Sequence, residues 1–250
     1  MGFEKIIIEA DAAKIPLCND SVQLIITSPP YALKRKQLYG GIHPDKYVEW
    51  FEPIAPELAR VLHPRGSFVL NIKENVKDGE RLTYVLELIL AMREWGWLWA
   101  DELIWFKRNG FPGRWRGRLR DGFERLLHFT RHREYNFYDE AVKVPRRWFG
   151  KERPRKDSEN GNNYTASIRK SRDLWDGKLA FPSNVVEVAL AQNQFDSSVW
   201  HPATFPHRLP KFFIDLFTVE GDLVLDPFVG SGTTVIQAYR MTPPCSWFRN

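Results

Sequence analysis

Cysteine is scarce in this sequence, with only Cys18 and Cys245 among 250 residues. Two cysteines are too few for a disulfide framework or a structural zinc site, which excludes small secreted scaffolds and favours a reducing compartment. Membrane-spanning apolar runs are absent as well, and residues 1–10 contain acids in place of a long apolar segment. We therefore expect a cytoplasmic protein without a membrane partner.

Length and charge set the next limits. A chain of 250 residues can bury a full hydrophobic core and is most simply one domain that carries an insertion. Its net charge of +5 favours a polyanionic partner, although a ribosomal type of protein would be far more basic.

The most informative stretch is Val22–Tyr31, which has the sequence VQLIITSPPY. Its apolar half predicts a strand that is buried on both faces of a parallel sheet, and Pro29 and Pro30 cannot continue its ladder. We expect the loop after this strand at the carboxyl edge of the sheet, where open α/β sheets bind ligands. The Ser28 hydroxyl and outward-turned proline carbonyls would accept hydrogen bonds from an amino group, and Tyr31 would offer a flat face to a ring. A strand-ending turn without chemistry is the alternative.

The segment Thr27-Ser28-Pro29-Pro30-Tyr31 resembles the catalytic motif of the DNA amino-methyltransferases, which methylate cytosine N4 or adenine N6 with S-adenosylmethionine. In that family, serine before the two prolines is more often associated with cytosine N4, and aspartate or asparagine with adenine N6. The resemblance implies site-specific methylation of cytosine N4 in double-stranded DNA, with the base flipped out of the duplex. Adenine-N6 methylation and a catalytically impaired DNA-binding remnant are the alternatives. The implied catalytic residues are Ser28, Pro29, Pro30 and Tyr31.

A second loop, Leu223–Thr234, has the sequence LVLDPFVGSGTT and predicts a strand, an acid, a glycine turn and a helix start. Gly230 and Gly232 allow close backbone approach, and the free N–H groups at the start of the helix suit a carboxylate. Asp226 suits a cationic amine. The loop lacks the lysine of a Walker motif and the third glycine of a dinucleotide fingerprint, so phosphate binding fits it less well.

Together the two loops resemble the beta class of this family, in which the catalytic loop precedes the cofactor loop. The resemblance implies an α/β, Rossmann-like methyltransferase fold that is circularly permuted, with a mostly parallel, doubly wound sheet and a DNA-recognition insertion. It divides the chain into a catalytic half (1–134), a target-recognition insertion (135–195) and a cofactor-binding half (196–250). Asp11, at the end of a strand predicted at Ile6–Ile8, is among the cofactor residues that the resemblance implies. Capping of the following turn is the alternative role for Asp11. The implied cofactor residues are Asp11, Thr204, Phe205, Pro206, Asp226, Pro227, Phe228, Gly230, Gly232, Thr233 and Thr234.

The pattern of apolar residues predicts further elements, and their alternation predicts a parallel sheet with right-handed crossovers. The predicted helices are Tyr47–Leu62, Leu82–Glu94 and one from His201–Pro210 through Phe217, and the predicted strands are Ser67–Asn71, Trp97–Lys107 and Glu124–Thr130. A turn is predicted at residues 63–66, where proline and glycine interrupt the pattern.

A basic loop covers residues 107–120, with six basic residues, three glycines and no acid, interleaved with Phe111 and Trp115. This composition predicts a loop that DNA phosphates order, and a solvated loop without a partner is the alternative. The predicted DNA contacts are Arg108, Arg114, Arg116, Arg118, Arg120, Arg146 and Arg147.

The sequence departs from the family pattern after Asp226, since no Asp or Glu follows it. In the family a further strand ends in an acid that holds the ribose hydroxyls of the cofactor, whereas Met241-Thr242-Pro243-Pro244 does not suit an interior strand. Two interpretations are open: a truncated member, or replacement of that acid by another group or subunit. A homodimer and a cognate restriction endonuclease are the further partners that the resemblance suggests.

Overall fold

The computed structural model describes residues 7–33, 41–109, 117–145, 179–190, 206–230 and 232–241. The strands in these ranges are β1 Val22–Thr27, β2 Leu62–Ile72, β3 Val76–Lys77, β4 Glu80–Arg81, β5 Leu98–Phe106, β6 Phe123–Thr130, β7 Val144–Pro145, β8 Leu179–Ala180, β9 Val185–Glu187 and β10 Val224–Leu225. The α-helices are α1 Tyr47–Phe51, α2 Ile54–Val61, α3 Tyr84–Glu94, α4 Arg208–Phe217 and α5 Thr233–Met241, and 3-10 turns cover Pro44–Lys46 and Asp139–Val142. Among these helices, none combines the length and hydrophobicity that a bilayer crossing requires.

The main sheet has the strand order β10-β1-β2-β6-β5-β9. Strand β1 pairs in parallel with β10 and β2, and β5 pairs in parallel with β9. Strand β6 is antiparallel to both of its neighbours, β2 and β5. A mostly parallel sheet is therefore confirmed: the strands predicted in the order strand, helix, strand, helix, strand are β1, β2 and β5, and all three run in the same direction. Strand β6 is the antiparallel exception. No helix lies in the described part of the connection between β5 and β6, and antiparallel neighbours do not need the crossover helix that usually joins parallel ones.

Two hydrophobic cores lie on the opposite faces of this sheet. In β1, Ile25 belongs to the core under α1, α2 and α3, whereas Leu24 and Ile26 belong to the core under α4. All three side chains are fully buried, and burial of one such side chain contributes about 1.5–3 kcal/mol. Helices thus cover both faces, as the doubly wound arrangement predicts.

The single helix predicted at Tyr47–Leu62 is in fact two helices. Helix α1 ends at Phe51 and α2 begins at Ile54, with Pro53 as the residue before it. Proline has no N–H group to donate and its ring clashes with the preceding turn, so the sequence pattern was right about the buried face and wrong about continuity.

The turn predicted at residues 63–66 lies within β2 instead of before it. The pairing of β1 with β2 shifts register between Val22 and Leu24, which accommodates the irregular residues. At Gly66, an added Cβ would lie 2.7 Å from Leu62 Cδ1 and 3.0 Å from the carbonyl oxygen of Gln23. A side chain here would crowd backbone carbonyl oxygens of both β1 and β2, so the position favours glycine.

The short strand predicted at Ile6–Ile8 is not present in the part of it that is described. Residues 7–10 have no regular secondary structure, and the side chains of Ile7 and Ile8 are exposed. Ile6 lies outside the described residues. Ile7 and Ile8 pair with no strand among the described residues, and β-propensity alone does not form a strand.

Parts of the predicted insertion are described on either side of residues 146–178. Strand β7 pairs with β8, and the 3-10 turn Asp139–Val142 packs on α4. Strand β9 pairs with β5 and so extends the main sheet. The three-part division of the chain stays a prediction.

His128 is buried in β6, and burial lowers its pKa to about 4. An unfolded histidine has a pKa near 6.5, so below that pH the unfolded chain binds a proton that the folded chain does not. We expect the free energy of unfolding to fall by about 3 kcal/mol between roughly pH 6.5 and 4 because of this residue.

The measurement is urea unfolding of the wild type, His128→Gln and exposed His132→Gln at a series of pH values. The pH dependence should be weaker in His128→Gln and unchanged in His132→Gln. An identical dependence in all three proteins would contradict a neutral, buried His128.

Candidate functional site

The loops that follow β1 and β10 meet at one edge of the sheet. The two strands are parallel neighbours, with Leu24 paired to Val224 and Ile25 to Leu225. Just beyond them, the Thr27 hydroxyl donates a hydrogen bond of 2.6 Å to Asp226 Oδ1. The predicted convergence of the proline loop and the glycine loop at the carboxyl edge is confirmed.

Tyrosine and asparagine side chains anchor the proline loop through hydrogen bonds to its carbonyl oxygens. Pro29 is buried, and the Tyr47 hydroxyl donates to the carbonyl oxygen of Pro30 at 2.9 Å. The Asn75 amide donates to the carbonyl oxygen of Ala32. The prediction that the proline carbonyls point outward is therefore wrong for Pro30, whose carbonyl is used to anchor the loop.

The Tyr31 hydroxyl is the centre of a polar cluster on this loop. Ser28 Oγ donates to it at 3.3 Å, and it lies 2.7 Å from Glu124 Oε2 and 3.2 Å from Asn71 Oδ1. The other carboxylate oxygen of Glu124 forms an ion pair with Lys107. Burial and the charge of Glu124 hold the pKa of Tyr31 well above its ordinary value, so the phenol stays neutral.

Sequence reasoning did not single out Asn71 or Glu124 for this site. Glu124 is the second residue of β6, and its place at the ligand-binding edge follows from the antiparallel direction of that strand. The available signal was an acid at the start of an otherwise buried strand. Lys107, predicted as part of the basic loop, is turned inward to the cluster, with 12% of its side chain exposed.

Asp226 connects the two loops through both of its carboxylate oxygens. Oδ1 accepts from Thr27 and from the backbone N–H of Phe228 at 3.1 Å, and Oδ2 accepts from the Thr234 hydroxyl at 2.8 Å. Burial raises the pKa of Asp226, and these hydrogen bonds counteract part of that rise. Oδ2 retains acceptor capacity toward a ligand cation, because a carboxylate oxygen accepts more than one hydrogen bond.

The glycine loop has the backbone that the sequence predicts. Gly230 and Gly232 have φ angles of 51° and 79°, in the left-handed region that glycine adopts without strain. Helix α5 begins directly afterwards at Thr233, so its first N–H groups face this edge and can receive an anion.

A cavity of about 350 Å³ lies beside the glycine loop. Asp11, Asp226 and Pro227 line it, together with apolar side chains such as Ile15 and Val235. Asp11 Oδ1 also accepts from the Ala13 N–H at 2.9 Å, so its turn-capping role is present in the structure. This cavity suits an apolar ring flanked by hydrogen-bonding groups.

The remaining predicted cofactor residues are only partly visible. Thr204 and Phe205 lie outside the described residues, whereas Pro206 is buried and its carbonyl oxygen accepts from Leu209 N–H at 2.9 Å. The Phe228 ring lies 5.8 Å from that of Trp50, which fixes the glycine loop against α1.

The predicted DNA-contacting arginines are described at three positions. Arg108 is exposed and forms an ion pair with Glu187, and Arg118 pairs with Asp121 at 3.1 Å. Arg120 is exposed. Acids from outside the basic loop thus neutralise part of its charge. The others, Arg114, Arg116, Arg146 and Arg147, lie outside the described residues.

Comparison with known proteins gives a consistent result. The family described as DNA methylase matches residues 22–242. The Type II methyltransferase M.PvuII of Proteus hauseri is 30% identical over 246 residues, which cover 89% of this chain and 72% of that protein. M.BglII of Bacillus subtilis is 25% identical, and the match covers 86% of this chain but 56% of that protein.

Solved structures agree on the fold. The PvuII DNA methyltransferase, named as cytosine-N4-specific, has a TM-score of 0.67 and 26% identity, with 91% of this chain and 74% of that chain covered. A Thermus thermophilus protein solved as a complex with S-adenosyl-L-methionine has a TM-score of 0.57 and 22% identity, over 93% of this chain and 82% of that one. The second likeness concerns the fold alone.

Replacement of Thr27 with the isosteric valine tests the contact between the loops. The carboxylate of Asp226 then loses a short hydrogen bond, which we expect to cost about 1–3 kcal/mol of unfolding free energy. Urea denaturation measures this loss. Val219→Thr, the reverse exchange at an exposed position, is the control and should change stability by less than about 0.5 kcal/mol. Equal effects of the two variants would show that the contact does not stabilise the fold.

Proposed function

This chain belongs to the DNA methylase family, and we propose that it transfers a methyl group from S-adenosylmethionine to the exocyclic N4 of cytosine at specific sites in double-stranded DNA. The predictions of a DNA amino-methyltransferase, of its α/β fold and of S-adenosylmethionine as the family's cofactor are confirmed at the level of the family. One observation carries the proposal further: the serine-proline loop and the acid of the glycine loop share the 2.6 Å hydrogen bond between Thr27 and Asp226.

The residues at this edge fit the cofactor. The cavity beside Pro227 has the size and apolar wall that an adenine ring needs, and Asp11 can accept from its amino group. The start of α5 suits the carboxylate of the methionine moiety, and Asp226 suits its ammonium group. When bound, S-adenosylmethionine supplies an electrophilic methyl group on a sulfonium.

The proline loop supplies the groups that prepare the acceptor. We assign Ser28 Oγ and the Pro29 carbonyl as acceptors for the two N–H groups of the base amine, which directs the nitrogen lone pair toward the methyl carbon. S-adenosylmethionine would supply the methyl group, and the base nitrogen would give up one proton to solvent as it accepts that group, while Ser28 Oγ and the Pro29 carbonyl would hold the amine in place. The ring of Tyr31 stacks on the flipped base.

The choice of cytosine over adenine has two supports. Ser28 occupies the position where the family more often has serine for cytosine N4. The PvuII DNA methyltransferase, which is similar in structure and 26% identical, is named as cytosine-N4-specific, and the sequence of the Type II methyltransferase M.PvuII is 30% identical to this chain.

The DNA-binding role of the basic loop also remains a proposal, supported by its arginines. A cytoplasmic location, a homodimer and a partner endonuclease stay predictions.

The reaction product tests this assignment. Plasmid DNA from a methylation-deficient host is incubated with the protein and S-adenosylmethionine, digested to nucleosides and analysed by mass spectrometry. We expect the wild type to form N4-methylcytosine. The Ser28→Ala variant should form this product at a rate at least about tenfold lower. N6-methyladenine would replace the cytosine assignment with adenine. Retention of DNA without either product or cofactor binding would identify a binding remnant.

Asp226 gives a prediction about pH. A protonated carboxyl group does not attract an ammonium group, so the affinity for S-adenosylmethionine should fall as pH is lowered toward the raised pKa of Asp226. Asp226→Asn can keep the local hydrogen bonds but should bind at least about tenfold more weakly at neutral pH, without this pH dependence. Calorimetric titration measures both, with Asp215→Asn on α4 as the control. A pH-dependent affinity that survives in Asp226→Asn would remove Asp226 from the cofactor site.

A further inference from the structure

We propose that Glu124 is a positioning residue for methyl transfer, because its carboxylate fixes the direction of the hydrogen bonds from Ser28 through Tyr31 and leaves the serine oxygen as an acceptor for the base amine. This inference rests on the proposed function and deepens it. Among the described residues, the contact that the structure gives between Glu124 and the catalytic loop is the one with Tyr31.

The groups form a continuous chain at the carboxyl edge. The Ser28 hydroxyl donates to Tyr31 Oη, and Tyr31 Oη lies 2.7 Å from Glu124 Oε2. Lys107 pairs with the second carboxylate oxygen, and only about a tenth of each of these two charged side chains is exposed. Such a buried ion pair is costly to desolvate and holds its partners in one arrangement.

The charge state of Glu124 determines which way the hydroxyl protons point. A carboxylate only accepts hydrogen bonds, so the single proton of Tyr31 is directed to Glu124. Tyr31 Oη then has only lone pairs to offer to Ser28, and the Ser28 proton points to Tyr31. The free lone pairs of Ser28 Oγ are left for an N–H donor. This polarity is the one that a base amine requires, because its own N–H groups are donors.

Asn71 supports the same direction. Its side-chain N–H donates to the carbonyl oxygen of Arg125 at 3.1 Å, and this bond orients the amide oxygen toward Tyr31 at 3.2 Å. Tyr31 therefore faces two acceptors. The nearer of the two is the charged one, and hydrogen bonds to charged groups are the stronger ones.

A purely structural role for Glu124 gives a different expectation. If Glu124 served only as the ion-pair partner of Lys107, its replacement would lower the stability of the fold. Catalysis would then be affected only through that loss of stability. Glu74 provides the comparison, since it is also a buried carboxylate, with 4% of its side chain exposed, and is paired with Arg125 at 2.7 Å. The hydrogen bonds that the structure gives Glu74 do not include one to the proline loop.

The experiment compares wild type, Glu124→Gln, Tyr31→Phe, the double variant and Glu74→Gln under single-turnover conditions. Protein in excess is mixed with plasmid DNA and tritiated S-adenosylmethionine, and the affinities for DNA and cofactor are measured separately. In Glu124→Gln the charged acceptor is lost and the amide can donate to Tyr31, so that only the weaker acceptor Asn71 Oδ1 still favours the original direction. We expect the transfer rate to fall about tenfold, with both affinities within about twofold of the wild type. Glu74→Gln should transfer at the wild-type rate.

The double variant makes the test specific. If Glu124 acts through the Tyr31 hydroxyl, Glu124→Gln should cause no further loss of rate in the Tyr31→Phe background. A second independent loss there, or an unchanged rate in Glu124→Gln alone, would overturn the inference. A change confined to the affinities would also overturn it. Absence of methyl transfer in the folded wild-type protein would instead refute the proposed function.

Discussion

The parallel pairing of β1 with β10 is the constraint on which this molecule depends. The two strands are about 200 residues apart in the chain, yet the Thr27–Asp226 hydrogen bond joins their ends. Because parallel strands send their following loops to the same edge, the pairing brings a proline-stiffened loop next to a glycine turn. Each loop alone is a common local structure, and the site exists only where they adjoin.

Buried polar groups maintain this edge, although burial of a polar group is unfavourable unless it is hydrogen-bonded. Asp226 meets that condition with two threonine hydroxyls and a backbone N–H, and Glu124 meets it with Tyr31 and Lys107. Hydrophobic burial on the two faces of the sheet supplies the stability that these arrangements require. The polar site is thus on loops at the edge of the sheet, whereas the stabilising hydrophobic cores lie between the sheet and its helices.

Much of the fold was predictable because it depends on local pattern. The apolar run at β1, the helical spacing of α3 and the acid-glycine segment before α5 each specify their element from residues close in sequence. The predictions failed where pairing between distant segments determines strand direction, register or strand formation. The direction of β6, which is antiparallel to both β2 and β5, was not predicted. The register shift placed the expected turn inside β2, and Ile7 and Ile8 join no strand among the described residues.

The sequence by itself determined the two loops, since proline and glycine restrict or free the backbone wherever they occur and the chemical identity of Ser28, Tyr31 and Asp226 does not depend on the fold. Tertiary structure alone decided which other groups share their edge. Glu124 is there because β6 runs against its neighbours, so its amino end lies at the carboxyl end of theirs. Strand direction is a property of pairing between distant segments, and for that reason side chains within a single strand do not encode it.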